Sequence, residues 1–206
     1  NDSTWVLIAP KTRYMHVDKH DAISLDEKVD GDVKVRTFHR GGVAPLIPER
    51  GMPPLIDLLA SVSVSTVESW DEYVKWERAL LANAFTSNPE LEALSKKLVG
   101  DATTARDKFD RLYHYVAQEI RYQQDYENTI AGVRPHSCPQ VLARGYGDCK
   151  DKAVLLILLA KHAGVDVDFA ILRTTGAGKV EQDVPNQQFN HAIVYVPKQE
   201  GIDEGF

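Results

Sequence analysis

Cysteine and methionine are scarce in this chain, two of each in 206 residues, and no apolar run approaches the ~20 residues that cross a bilayer. The longest, Ala153 to Ala160, has eight. A membrane-spanning helix is therefore excluded by composition, and two cysteines cannot build the multi-bridge framework of a small secreted scaffold. Cys138 and Cys149 form one disulfide in an oxidising compartment or two thiols in a reducing one, and their number does not decide which. Long basic runs are missing as well. With a formal charge of -6 and a pI near 5.6, the chain lacks a surface that tracks phosphates, so nucleic acid is excluded as a general partner. His136, Cys138, Cys149 and His191 can be drawn as a metal quartet, but the ten residues between the cysteines lack the short paired spacing of zinc sites. No metal and no cofactor is expected.

The chain starts at Asn1 with neither an initiator methionine nor a basic-then-apolar leader, which reads as an excised or processed piece. What is present is 43% hydrophobic, enough for a core. Trp5 to Ala9, Val33 to Phe38 and Ser61 to Val67 are rich in strand formers and separated by Gly41-Gly42, Pro45, Pro48 and Pro53-Pro54. This region, residues 1–68, is too short and broken for a complete sandwich and reads as part of a β-rich domain. From Ser69 the texture is helical. Trp70, Val74, Glu77 and Leu81 keep helical spacing, Asn88-Pro89-Glu90 starts a second helix, and Thr103 to Ile120 forms a third. Leu98, Phe109, Leu112, Tyr113, Val116 and Ile120 are expected to bury one face.

Chemistry concentrates further on. Arg144-Gly145-Tyr146-Gly147-Asp148 is a glycine-broken loop leading through Cys149 into the apolar run, and Lys161-His162 with Gly164 supplies a basic last turn and a stop. A buried central helix follows, with Asp148 as its N-cap and Cys149 at its start. Free N–H groups there give partial positive charge that favours a thiolate, the reactive form of cysteine. The competing reading is an inert structural thiol. The charged flanks Asp148, Lys150, Asp151 and Lys152 speak for the nucleophile. Cys138, beside Pro139 and the apolar Val141-Leu142, reads as a packing residue at a short helix start. A thiol nucleophile needs a base, and His191 opens the β-rich run Ala192 to Val196, expected to be a buried strand that holds the imidazole firmly.

The order Gly147-Asp148-Cys149-Lys150-Asp151-Lys152-Ala153, helix, strand, Phe189-Asn190-His191 resembles the transglutaminase-like cysteine enzymes over about Thr103 to Val196. It is most similar to bacterial proteins in which a β-rich domain precedes such a core. The resemblance implies an α+β fold: a papain-like or transglutaminase-like core whose central helix carries the cysteine and packs on an antiparallel sheet, here residues 69–206, preceded by a partial β-rich domain.

It also implies a Cys-His-acid triad. Cys149 and His191 match; the acid does not plainly match, and Asp203, between Gly201 and Gly205, is the candidate. The chemistry implied is attack of the thiolate on a protein or peptide amide and resolution of the thioester by water, slightly favoured, or by an amine. The alternative is a catalytically silent scaffold or interaction module. The Cys149 backbone N–H is the natural first oxyanion donor, with Gln123 as a second and Tyr122 beside it as a cleft residue. Family analogy points to an exported or periplasmic location.

Overall fold

The computed structural model describes residues 2–124 and 132–206 and divides the chain into two compact units, residues 1–75 with 173–188, and 76–172 with 189–206. The sequence suggests that Arg121 to Tyr126 leaves the third helix; of that segment Asp125 and Tyr126 lie outside the described residues. Among the described residues, no helix is long and apolar enough to cross a membrane.

The first unit is β-rich. β1 (Ser3–Pro10), β4 (Val33–Arg40) and β3 (Ser24–Asp30) make an antiparallel sheet in the order β1-β4-β3. Phe38 is buried and stacks on Trp5, with ring centroids 5.1 Å apart. β2 (His16–Lys19) pairs antiparallel with β5 (Val62–Ser65). Sequence texture points to β1, β4 and β5. It misses β2, which is four residues long, and β3, whose Ser-Leu-Asp-Glu-Lys-Val-Asp is exposed throughout and so carries no burial pattern to read.

The chain joins the second unit through α1 (Trp70–Leu81). α2 (Pro89–Val99) starts where Asn88 accepts a hydrogen bond from the Leu91 N–H at 2.9 Å, and α3 (Ala105–Glu119) where Thr104 accepts from the Asp107 N–H at 3.1 Å. α4 (Cys138–Arg144) is short and ends on Gly145, whose φ of 69° is the left-handed conformation glycine adopts without strain. α5 (Cys149–His162) is the centre of the unit. Every residue from Ala153 to Ala160 is buried, and the helix packs against α2, α3 and α4 and against the antiparallel pair β8 (Asp168–Leu172) and β9 (His191–Tyr195). A helix apolar all round needs neighbours on all sides, and five elements supply them.

Two expectations are corrected. β9 is not fully buried: Ala192 is, while Ile193 and Tyr195 are exposed, because β8 and β9 form a two-stranded sheet that α5 covers on one face. Tyr113 is half exposed, although Phe109, Leu112, Val116 and Ile120 do bury the inner face of α3.

Candidate active site

The geometry around Cys149 starts from local chain chemistry. After Gly145 ends α4, β7 (Tyr146–Gly147) runs parallel to β6 (Arg121–Tyr122), with Arg121 and Gln123 N–H groups donating to the Gly145 and Gly147 carbonyls at 2.9 and 3.0 Å. A Cβ on Gly147 would lie 2.7 Å from the Cβ of Asp151, which explains glycine at that position. Asp148 then caps α5, accepting from the Asp151 N–H at 3.4 Å, while Asp151 Oδ2 accepts from the Asp148 N–H at 3.2 Å. Cys149 is the first helical residue and is half-buried.

The charged flanks of Cys149 turn inward. Asp148, Lys150 and Asp151 are buried, and burial without partners would be prohibitive. Lys150 Nζ bonds Asp148 Oδ2. Asp151, with 1% of its side chain exposed, accepts from the His136 backbone N–H at 2.8 Å and lies 3.1 Å from the His136 ring through the other oxygen. His136 looks like an ordinary loop histidine in the sequence; here it fastens the approach to α4 onto the first turn of α5. The signal that could have found it is the uneconomical density of charge at a helix start that must be buried.

Cys149 and His191 line one cavity of about 600 Å³, together with Tyr122, Lys152, Arg106 and Phe206 among others. Tyr122, set beside Gly147 by the β6–β7 pairing, lines this cavity with Cys149 and feels its electrostatic influence. Partial burial, then the charges of Cys149 and Asp148, hold its phenol above the ordinary tyrosine range. The hydroxyl is therefore protonated at neutral pH and can donate. Gln123 turns elsewhere, accepting from Arg121 Nη2 at 2.6 Å. Lys152 donates to the Ile120 carbonyl at 2.7 Å and the Ala117 carbonyl at 3.4 Å, anchoring the end of α3 just before β6, and burial lowers its pKa.

Asp203 is not among the residues lining the cavity. It is exposed in a turn after the Gln199–Ile202 bridge. Beyond it, Phe206 and Val196 exchange backbone bonds at 2.8 and 3.0 Å, so Asp203 belongs to the turn end of that pairing. His191 lies five residues before Val196, about 16 Å away along an extended strand.

Cys138 packs as its sequence context suggests. It is fully buried, and burial, helped by the Asp151 charge, pushes its thiol up to about 12. At neutral pH it has almost no thiolate. Iodoacetamide is expected to label Cys149 in the folded protein and to reach Cys138 only in denaturant. Peptide mapping by mass spectrometry checks this, and labelling of folded Cys138 at a similar rate would contradict it.

The family model described as "Transglutaminase-like superfamily" matches residues 92–200, over half of the chain. The chain belongs to that superfamily. The matched region holds α5, which starts with Cys149, and β9, which starts with His191. The fold is shared with a protein from Parabacteroides distasonis described as a "putative protease", at 12% identity and a TM-score of 0.75, over 99% of this chain and 39% of that one. The chain thus spans well under half the length of that neighbour. A protein from Cytophaga hutchinsonii described as a "putative cysteine protease" aligns at 13% identity and a TM-score of 0.43, over 95% of this chain and 67% of that one. No curated protein matches the sequence.

Proposed function

We propose that the chain carries the thiol site of a transglutaminase-like enzyme that forms an acyl-thioester from a protein or peptide amide, with Cys149 as nucleophile, His191 as general base and acid, and water as the favoured acceptor. The observation that carries this reading is the shared cavity at the start of a buried helix, lined by half-buried Cys149, by His191 and by Tyr122. His191 takes the thiol proton and the sulfur attacks the amide carbon. The Cys149 N–H and the Tyr122 hydroxyl are the donors offered to the oxyanion. Imidazolium returns the proton to the leaving amine, the C–N bond breaks, and water activated by neutral imidazole then cleaves the thioester. No step is assigned to Asp203.

The test is intact-mass spectrometry of the protein mixed with an activated ester and with peptide amides. One acyl group on Cys149 that turns over supports the reading, and product unchanged by added primary amine supports water as acceptor. Absence of any acyl-enzyme, with Cys149 intact and the protein folded, overturns it.

Tyr122→Phe keeps the ring and removes the hydroxyl. The expected result is a loss of about 10²-fold in kcat with a much smaller change in KM, since an oxyanion donor acts on the transition state. Unchanged kcat would remove Tyr122 from the mechanism.

A further inference from the structure

We propose that Asp18, His20 and Glu181 bind one divalent transition-metal ion, zinc by the nature of the donors. All three belong to the first unit, apart from the thiol chemistry. Asp18 lies on β2, His20 directly follows that strand, and Glu181 comes from the 173–188 segment. Among the described residues they are the one group of three or more such side chains whose ligand atoms lie within 4.8 Å of one another.

The spacings suit a metal. His20 Nε2 lies 3.3 Å from Asp18 Oδ2 and 3.1 Å from Glu181 Oε1. Donors placed tetrahedrally around zinc at its ~2.0–2.1 Å bond lengths stand about 3.3 Å apart, so both separations from the imidazole are already those of a coordination shell. One imidazole with two carboxylates favours zinc or a similar transition metal over magnesium and calcium, which prefer all-oxygen shells.

The ligands are also held from behind. Ser63, the register partner of Asp18 across β2–β5, donates to the second oxygen of Glu181. The Glu181 backbone is clamped by the Gln188 amide, its N–H donating to Oε1 at 2.7 Å and its carbonyl accepting from Nε2 at 2.8 Å. Such outer contacts orient metal ligands.

A separate observation points the same way. His20, Ser63 and Glu181 line a cavity of about 690 Å³ with Asn186, and the Oδ1 of Asn186 is buried without a hydrogen-bond partner. Buried polar atoms without partners are rare. Three protein ligands leave a fourth position for water, and a metal-bound water in the same cavity is a candidate donor for that oxygen.

The ion would act as a clasp. It ties the segment between β8 and β9 to the β2–β5 sheet, eight residues before the chain re-enters the core at Phe189. The competing arrangement is a protonated His20 between two carboxylates with no metal.

The test uses the full chain with Cys149 capped by iodoacetamide, so that the reactive thiol cannot bind metal. Equilibrium dialysis with Zn²⁺ is expected to give one equivalent, with His20→Ala and Asp18→Asn each weakening binding at least tenfold. Co²⁺ is expected to give tetrahedral absorption bands without a thiolate charge-transfer band, and Zn²⁺ to raise the urea midpoint of the parent but of neither variant. Both substituted residues are partly exposed, and circular dichroism confirms that the variants fold. No binding by the parent, affinity unmoved by both substitutions, or a thiolate band each overturns the proposal.

Discussion

Cys149→Ala protein is expected to fold like its parent and to form no acyl-enzyme with any ester or amide. The side chain is small and half exposed, and the elements that place it are built from Asp148, Asp151, Gly147 and the apolar face of α5 rather than from the sulfur. The urea midpoint should therefore stay close to the parent value. Hydrolysis should fall on the order of 10⁴–10⁶-fold, because removing a nucleophile removes the step that the rest of the site serves, leaving only binding and oxyanion stabilisation. Circular dichroism, intact-mass spectrometry and kcat/KM together check this. Activity within tenfold of the parent would mean that the thiol is a bystander.

Asp151→Ala is expected to show the opposite profile, a loss of fold stability as well as of function. This carboxylate accepts from two backbone N–H groups, those of His136 and Asp148, and meets the His136 ring, all where almost no water reaches. Its removal strands those donors in the interior. Breaking a buried, hydrogen-bonded charge cluster costs about 3–5 kcal/mol, of which the unsatisfied donors are a large part. The urea midpoint should drop with little change in slope, since the surface exposed on unfolding is nearly the same. Asp151→Asn, which keeps the shape and one acceptor oxygen, should lose less. A midpoint unmoved by Asp151→Ala would show that the cluster does not hold the start of α5 in place.

The contrast explains what the sequence makes legible. α5 is readable because three signals agree: a capping aspartate, an eight-residue apolar run and a basic turn before glycine. Asn88-Pro89 and Thr104 likewise mark the starts of α2 and α3, each with the capping bond that its residue type foretells. The pairing of a cysteine at a helix start with a histidine at a strand start carries the family resemblance as well as the site, and both side chains reach one cavity.

Other features depend on tertiary neighbours that no local pattern encodes. β6 and β7 have two residues each, too few for any periodicity, yet their parallel pairing brings Tyr122 rather than Gln123 to the cavity that Cys149 lines. The charges flanking Cys149, read above as speaking for the nucleophile, are largely buried: Asp148 pairs with Lys150, and Asp151 is met by His136 from a loop fifteen residues upstream. Residues 173–188 sit in sequence between two core strands and group in space with the β-rich unit. The strand texture of β9 cannot say that only one face would be covered.

The most direct test of the central claim is the rate at which iodoacetamide alkylates Cys149 at neutral pH, measured in the folded protein, in His191→Ala and in urea. The account predicts that the folded thiol reacts faster than its own unfolded state, and that His191→Ala slows it at least tenfold without unfolding the protein. A folded-state rate equal to that in urea and indifferent to His191 would contradict it.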